Sequence, residues 1–216
     1  MVEIFERGGL MMYPLILASV IALAIIIERF FSLRKNKVII PDIISVVEQF
    51  SSFQDIELAK NICAKYKGPL SSLVRIGLEN TDLERNEIKE LIEDQGRQEV
   101  RNLEKGLTIL ETIAVISPLM GLLGTVLGMI KVFSVIKEQG IGQAAALSGG
   151  ISEALITTVT GLFIGIPVLI FFNFFTKRAE NFVLDIEKYS TFLLQKISHL
   201  NAGPQVSKVK QLKKEA

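Results

Sequence analysis

The stretch from Ala114 to Phe175 constrains this chain most, because it is almost entirely apolar or small and is long enough to cross a membrane twice. A membrane-spanning helix needs about 20 mainly apolar residues. Threonines nevertheless remain inside this stretch, in the segments GLLGTVLG and EALITTVTGLFIGIP. Hydrocarbon offers no water to an unpaired hydroxyl, so threonines among glycines indicate close helix contacts and a polar path. We therefore predict that the chain lines a conduit.

Composition places the chain among membrane proteins. It has 216 residues, of which 49% are hydrophobic, and a formal net charge of +1, with its charges gathered in blocks. This pattern predicts an integral membrane protein with a cytosolic part. Cys63 is the only cysteine, which excludes an intrachain disulfide and a cysteine-based metal cluster. We expect no cofactor, no metal site and no nucleic-acid partner.

Three segments are long and apolar enough to be spans. They run from Leu10 to Ile27, from about Ala114 to Ile136 and from about Ile151 to Phe175. The first is preceded by acidic residues and followed by bulky and basic ones, unlike a secretory signal with its basic start and small-residue cleavage site. We therefore expect the first span to stay attached to the chain.

Basic residues predict the orientation of the spans. Cytoplasmic flanks of spans carry an excess of lysine and arginine. The rule therefore places the N-terminus and the short loop outside, and the central segment and the C-terminus in the cytosol. The basic residues that carry this prediction are Arg29, Arg34, Lys35 and Lys37 after the first span, and Lys177 and Arg178 after the third.

The segments between and after the spans have a helical pattern. A proline–aspartate pair at Pro41 opens one predicted helix, and Gly68 with Pro69 interrupts the next. Apolar residues then recur at helical spacing from Leu83 onward, and we find no breaker before Pro118, so the sequence predicts one charged helix running unbroken into the second span. The helix after the third span is expected to end near Ala202.

Together these features predict an all-α integral membrane protein with three transmembrane helices and long helices that extend into the cytoplasm. We divide the chain into five parts. They are an N-terminal periplasmic segment with the first span at 1–34, a cytoplasmic helical domain at 35–112, the second span, short periplasmic loop and third span at 113–176, a cytoplasmic helical extension at 177–202, and a basic disordered tail at 203–216.

Helical geometry gathers the small and hydroxylic residues of each later span on one face, because their spacings are three, four and seven. Such a face serves either as a pore or partner-docking surface, or as plain small-residue packing in which a threonine bonds to its own backbone. We interpret the glycines as packing residues and the threonines as functional. The faces comprise Pro118, Gly121, Thr125 and Gly128 in the second span, and Ala154, Thr158, Gly161 and Gly165 in the third.

The segment ISPLMGLLGTVLGMIKVF, followed by ALSGGISEALITTVTGLFIGIPVLIFFN, resembles the signature of the MotA/TolQ/ExbB proton-channel family, and is closest to its three-span ExbB and TolQ branch. The resemblance implies that the two pore threonines are Thr125 and Thr158 and that the glutamate at the outer start of the third span is Glu153. Thr157 and Thr160 stand where alanines are usual, so Thr157 is a further ion-pathway candidate. The implied helix-packing residues are Gly121, Gly124, Gly128, Gly161, Gly165, Pro118 and Pro167.

The residues themselves constrain the mechanism. No charged residue or histidine lies from Ala114 to Ile130 or from Ala154 to Thr176, although proton relays through membranes normally use an ionisable side chain. Threonine hydroxyls form hydrogen bonds but do not titrate at physiological pH, so the titrating group must come from another polypeptide. The resemblance implies that this partner is a single-span protein of the ExbD or TolR type that carries a membrane aspartate.

The resemblance also implies the setting of the chain. Family members form a homo-oligomeric ring, usually a pentamer, in the bacterial inner membrane, and use proton-motive force to energise protein transport or envelope processes through a TonB- or TolA-like transducer. We expect membrane lipid as a further partner. Two alternatives are a four-span stator subunit of the MotA type and a passive membrane scaffold. The sequence contains no P-loop, GxSxG or HExxH motif, so we do not expect an enzyme.

Overall fold

The computed structural model describes residues 8–49, 55–140 and 144–212, and helices are the only regular elements among them, which confirms the all-α prediction. The acidic residues before the first span, part of the predicted loop and residues 213–216 lie outside this description. In chain order the helices are α1 (Met12–Ser32), α2 (Lys35–Val38), α3 (Pro41–Gln49), α4 (Asp55–Lys65), α5 (Pro69–Glu79), α6 (Arg85–Glu104), α7 (Leu107–Gln139) and α8 (Ala144–Leu212).

Three of the described helices, α1, α7 and α8, contain a stretch long and apolar enough to cross a membrane, which confirms the predicted number of spans. Their surfaces remain largely apolar and exposed in the single chain. Leu17, Leu122 and Phe163, for example, are 62%, 57% and 78% exposed. Such surfaces suit contact with lipid or with another hydrophobic helix, and not with water.

The chain divides into two compact units. One comprises Met1–Phe30 and Gly106–Thr176, and it contains α7 together with most of α1 and the first part of α8. The other comprises Phe31–Lys105 and Lys177–Ala216, and it contains α2 to α6 with the remainder of α8.

The prediction of one unbroken helix leading into the second span is wrong. The chain breaks between α6 and α7 at Gly106, which has a φ of +80°. A residue with a side chain is strained in this left-handed region, whereas glycine adopts it readily. The prediction relied on the spacing of apolar residues, which continues across Gly106, and did not consider that glycine can end a helix. Pro118, in contrast, lies inside α7 without ending it.

The second unit has an apolar core. Pro41 is the first residue of α3, as predicted, and Pro69, which was expected to interrupt a helix, is the first residue of α5. Proline suits this position because it lacks the N–H that a first helical residue leaves unused anyway. Gly77 allows α5 to approach α8, since a Cβ there would lie 2.8 Å from Leu193 Cδ2. The most deeply buried core residues of this unit include Ile43, Val47, Leu70, Val74, Leu78, Ile88, Leu193 and Ile197.

The last helix is longer than predicted. The sequence places its end near Ala202, whereas α8 continues to Leu212. A proline inside a helix removes one backbone donor, and the residues that follow Pro204, from 205 to 212, include neither glycine nor proline. The helix therefore continues past Pro204 to Leu212.

Candidate functional site

The small faces of α7 and α8 pack against each other within the first unit. A Cβ at Gly121 would lie 3.1 Å from the carbonyl oxygen of Thr157 and from Thr158 Cα. A Cβ at Gly161 would lie 2.5 Å from the carbonyl oxygen of Ser117. The separation at Gly161 is too short for a side chain and those at Gly121 are tight, so the two glycines allow backbone-to-backbone contact, which stabilises helix pairs in membranes.

The same contact extends in both directions along the two helices. A Cβ at Gly124 would overlap the Thr157 side chain, and one at Gly128 would lie 2.8 Å from Ala154 Cβ. At the other end, a Cβ at Gly165 would lie 2.7 Å from the ring of Pro118. Six of the seven predicted packing residues therefore lie in one interface. The seventh, Pro167, is exposed on α8.

Thr125 and Thr158 meet in the middle of this interface. Their hydroxyl oxygens are in hydrogen-bond contact with each other. The Thr125 hydroxyl also lies 3.1 Å from the carbonyl oxygen of Ala154 on α8, and the Thr158 hydroxyl lies 3.0 Å from that of Gly121 on α7. Both threonines are half-buried. The structure thus brings together the two hydroxyls that the sequence singled out on separate spans.

The hydroxyl pair has fewer protons than acceptors. Two hydroxyls carry two protons, while the acceptors within reach are the carbonyls of Ala154 and Gly121 and the other hydroxyl oxygen. Rotation of either hydroxyl therefore moves its proton from one acceptor to another. The hydrogen-bond arrangements before and after the rotation contain similar numbers of bonds. A carboxylate arriving at this point can accept one of these protons as a hydrogen bond, so the pair suits recognition of a carboxylate or of ordered water.

Thr157 occupies a different environment from its neighbour. Its side chain is 1% exposed, and its hydroxyl lies 2.9 Å from the carbonyl oxygen of Gly8 and 2.7 Å from that of Glu153. This threonine joins the turn before α1 to α8, and it does not contact the Thr125 hydroxyl in any hydrogen bond among the described residues. The two adjacent threonines therefore have different partners: Thr157 contacts the turn before α1, and Thr158 contacts Thr125 on α7.

Glu153 is held in an ion pair. Lys131 Nζ on α7 donates to Glu153 Oε2 at 2.7 Å, and the Glu153 side chain is 24% exposed. The other carboxylate oxygen lies against Gly9, where any Cβ would overlap it. The apolar parts of α7 and α8 pack as a helical hairpin. Glu153 lies at the end of this hairpin that is next to the start of α1.

We assigned no partner to Lys131 from the sequence. The partner of Lys131 could have been found from the register in which the small faces of the two helices pair. Pairing Thr125 with Thr158 in antiparallel helices brings residues after Thr125 opposite residues before Thr158, and the same register brings Lys131 opposite Glu153. Opposite charges at matching positions of a predicted hairpin are thus a sign of contact.

The described residues contain no group of three or more histidine, cysteine, aspartate or glutamate side chains that could hold a metal ion. The interface between α7 and α8 offers hydroxyl and carbonyl oxygens, while its charges are confined to the Lys131–Glu153 pair at one end. The chemistry available inside the apolar part of the hairpin is therefore hydrogen bonding and not proton transfer by a titrating side chain.

Comparison with known proteins identifies relatives over most of the chain. Residues 65–188 match the sequence profile of the MotA/TolQ/ExbB proton channel family. An ExbB-like biopolymer transport protein of Synechocystis is 35% identical over 178 residues, which are 78% of this chain and 81% of the relative. The biopolymer transport protein ExbB of Aquifex aeolicus is 29% identical over 185 residues, 86% of this chain and 88% of that protein.

An ExbB homolog of Methanothermobacter thermautotrophicus is 29% identical over 187 residues, and the alignment covers 86% of this chain. It spans 66% of that relative's own length, so the relative extends beyond the shared region. The matched region includes α7 and the apolar part of α8, which form the threonine-containing interface.

Proposed function

Because the chain belongs to the MotA/TolQ/ExbB proton channel family, we propose that it is the ring subunit of an ion-driven motor that uses proton-motive force. In this proposal the Thr125 and Thr158 hydroxyls face the membrane aspartate of a single-span partner of the ExbD or TolR type. The observation that carries the proposal is a hydroxyl pair in the apolar part of the α7–α8 interface, where no charged residue or histidine lies from Ala114 to Ile130 or from Ala154 to Thr176. The family's channel activity also agrees with the prediction that the chain is not an enzyme.

The energy scale supports this arrangement. Moving one elementary charge through 100 mV supplies about 2.3 kcal/mol. A single intramolecular hydrogen bond contributes about 0.5–1.5 kcal/mol, so one ion can offset the loss of only about one to four such bonds per step. The hydroxyl pair fits that limit, because its alternative arrangements contain similar numbers of hydrogen bonds.

The proposed assembly is a homo-oligomeric ring, a pentamer, in the bacterial inner membrane with its N-terminus in the periplasm and its C-terminus in the cytoplasm. The exposed apolar side chains of the spans supply surface for neighbouring copies and for lipid. The relatives are named biopolymer transport proteins, which supports a role in energising transport through a TonB- or TolA-like transducer.

Purification of the chain from its native membrane in mild detergent, followed by mass spectrometry of the proteins that accompany it, tests this function. We expect recovery of a short single-span protein with an aspartate in its span. Reconstitution of that complex in liposomes should then allow proton uptake under an imposed potential. Recovery of the chain alone would leave the conduit without a titrating group and would favour a passive scaffold.

The scaffold is the second candidate function, and one observation favours it: both hydroxyls already have hydrogen-bond acceptors within the hairpin. A scaffold needs only the shape of Thr158, whereas a motor needs its hydroxyl. Comparison of valine and serine at this position therefore separates the two functions. The four-span stator alternative has less support, because three candidate spans lie among the described residues.

A further inference from the structure

Lys131 and Glu153 are the charged pair closest to the threonine pair along these helices. No charged residue lies from Ala114 to Ile130 or from Ala154 to Thr176. At 1.5 Å per residue, Glu153 lies about 7.5 Å from Thr158 along α8, and Lys131 lies about 9 Å from Thr125 along α7. An ion that approaches the hydroxyls from this end of the hairpin therefore meets the pair first.

Both oxygens of the Glu153 carboxylate are engaged. Oε2 accepts a hydrogen bond from Lys131 Nζ at 2.7 Å, and Oε1 lies against Gly9. Gly9 has a φ of +66°, so both its backbone conformation and the lack of space favour glycine. A carboxylate enclosed in this way has little surface left for another cation.

The turn on which Glu153 rests is itself attached to α8. The Thr157 hydroxyl lies 2.9 Å from the carbonyl oxygen of Gly8, and Gly8 is buried. Gly8 and Gly9 are thus held by two successive contacts from one helix, while Lys131 holds the carboxylate from the other. Lys131 is the most accessible member of this cluster, since its side chain is 65% exposed.

On the basis of the function proposed above, we propose that Lys131 is a positioning residue for ion access. It holds the Glu153 carboxylate against the Gly8–Gly9 turn and so limits how readily a cation reaches the Thr125–Thr158 pair. The paired groups are neutral together, whereas a released carboxylate attracts cations. An exposed ion pair is weak, so its removal should change cation access about two- to five-fold.

Access to the threonine pair can be measured without any requirement for transport. In the assembled complex this chain carries Cys63→Ala, which removes its only native cysteine, and Thr158→Cys as the reporter. The reporter cysteine is labelled in separate experiments with a cationic reagent, trimethylammonium-ethyl methanethiosulfonate, and with a neutral one, methyl methanethiosulfonate. The ratio of the cationic to the neutral labelling rate is then compared between variants. We expect Lys131→Met to raise the cationic-to-neutral ratio about two- to five-fold, because the carboxylate is no longer neutralised.

Two control variants test the specificity of this effect. Lys131→Arg retains the ion pair and should restore the original ratio. Lys137→Met removes a lysine of the same helix that takes part in no ion pair among the described residues, and it should leave the ratio unchanged. Equal ratios for Lys131→Met and Lys137→Met would overturn the proposal. Thr125→Cys provides a second reporter if Thr158→Cys fails to assemble.

Proton uptake by the reconstituted complex distinguishes this inference from the proposed function. If the labelling ratio changes while the complex with native threonines takes up no protons, Lys131 controls access but the motor function is wrong. If protons are taken up while Lys131→Met leaves the ratio unchanged, the motor function stands and the role of Lys131 is refuted.

Discussion

Thr125 and Thr158 are reciprocally bonded, since each hydroxyl reaches a backbone carbonyl of the opposite helix and the two hydroxyls contact each other. The same two side chains therefore contribute to packing and form the polar element of an otherwise apolar interface. A substitution that keeps the shape of a threonine but removes its hydroxyl separates these contributions.

Replacement of Thr158 by valine should reduce proton uptake at least about fivefold while the complex still assembles. Valine retains the volume of threonine but offers no proton to a carboxylate, and each lost or unsatisfied hydrogen bond costs about 1–3 kcal/mol. Thr158→Ser should retain most of the uptake. The measurement is proton uptake by proteoliposomes together with the yield of assembled complex.

Thr160→Val is the matched control for this experiment. The Thr160 hydroxyl lies 2.8 Å from the carbonyl oxygen of Ile156 in its own helix, and its removal should leave both assembly and uptake unchanged. Normal uptake in Thr158→Val would refute a role for the hydroxyl and support the scaffold.

Gly161→Ala should destabilise the complex by about 1–3 kcal/mol, the usual cost of overpacking. The new Cβ would lie 2.5 Å from the carbonyl oxygen of Ser117 and 3.0 Å from Gly121 Cα, and backbone atoms cannot rotate away. Gly149→Ala is the control, because nothing lies within 4 Å of a Cβ at that position of α8. Thermal unfolding of the detergent-solubilised complex measures both, and equal midpoints would contradict close packing at Gly161.

Gly106→Ala should lower stability by about 1–2 kcal/mol, because a non-glycine residue is strained at a φ of +80°. The substitution also favours a continuous helix, as the sequence alone predicted. Gly96→Ala within α6 should raise stability by up to about 1 kcal/mol, since its Cβ would have only an ordinary contact with Leu73 at 3.7 Å. Stabilisation by both alanines, measured by thermal unfolding, would indicate that α6 and α7 form one helix.

Cys63 should make stability depend on pH in the alkaline range. Burial raises the pKa of its thiol from 9.0 to about 11, and the Arg75 guanidinium opposes this only in part. The unfolded chain therefore loses this proton at lower pH than the folded chain, and stability present below pH 9 declines as the pH rises towards 11. The maximum loss is about 2–3 kcal/mol. Unfolding midpoints of the native complex and of Cys63→Ala should fall with different slopes across this range; parallel slopes would refute the shift.

Much of the fold was predictable because its signals are local. The three spans follow from the length of apolar segments, and the small faces follow from the spacing of Gly121, Thr125 and Gly128 along one helix. The break at Gly106 was missed although glycine is a local signal, since apolar periodicity continues across it. The partner of Lys131 was missed for a different reason: it lies on another helix.

Local sequence signals suffice to predict an all-α membrane protein with three candidate spans among the described residues, because a helix satisfies its own backbone in hydrocarbon, and the threonine motifs agree with the proton channel family. Helix packing was needed to learn that Thr158, and not its neighbour Thr157, meets Thr125, and that Lys131 holds Glu153. Helical periodicity places a residue on a face of its own helix. The register between two helices is set by how their backbones and glycines fit together in space.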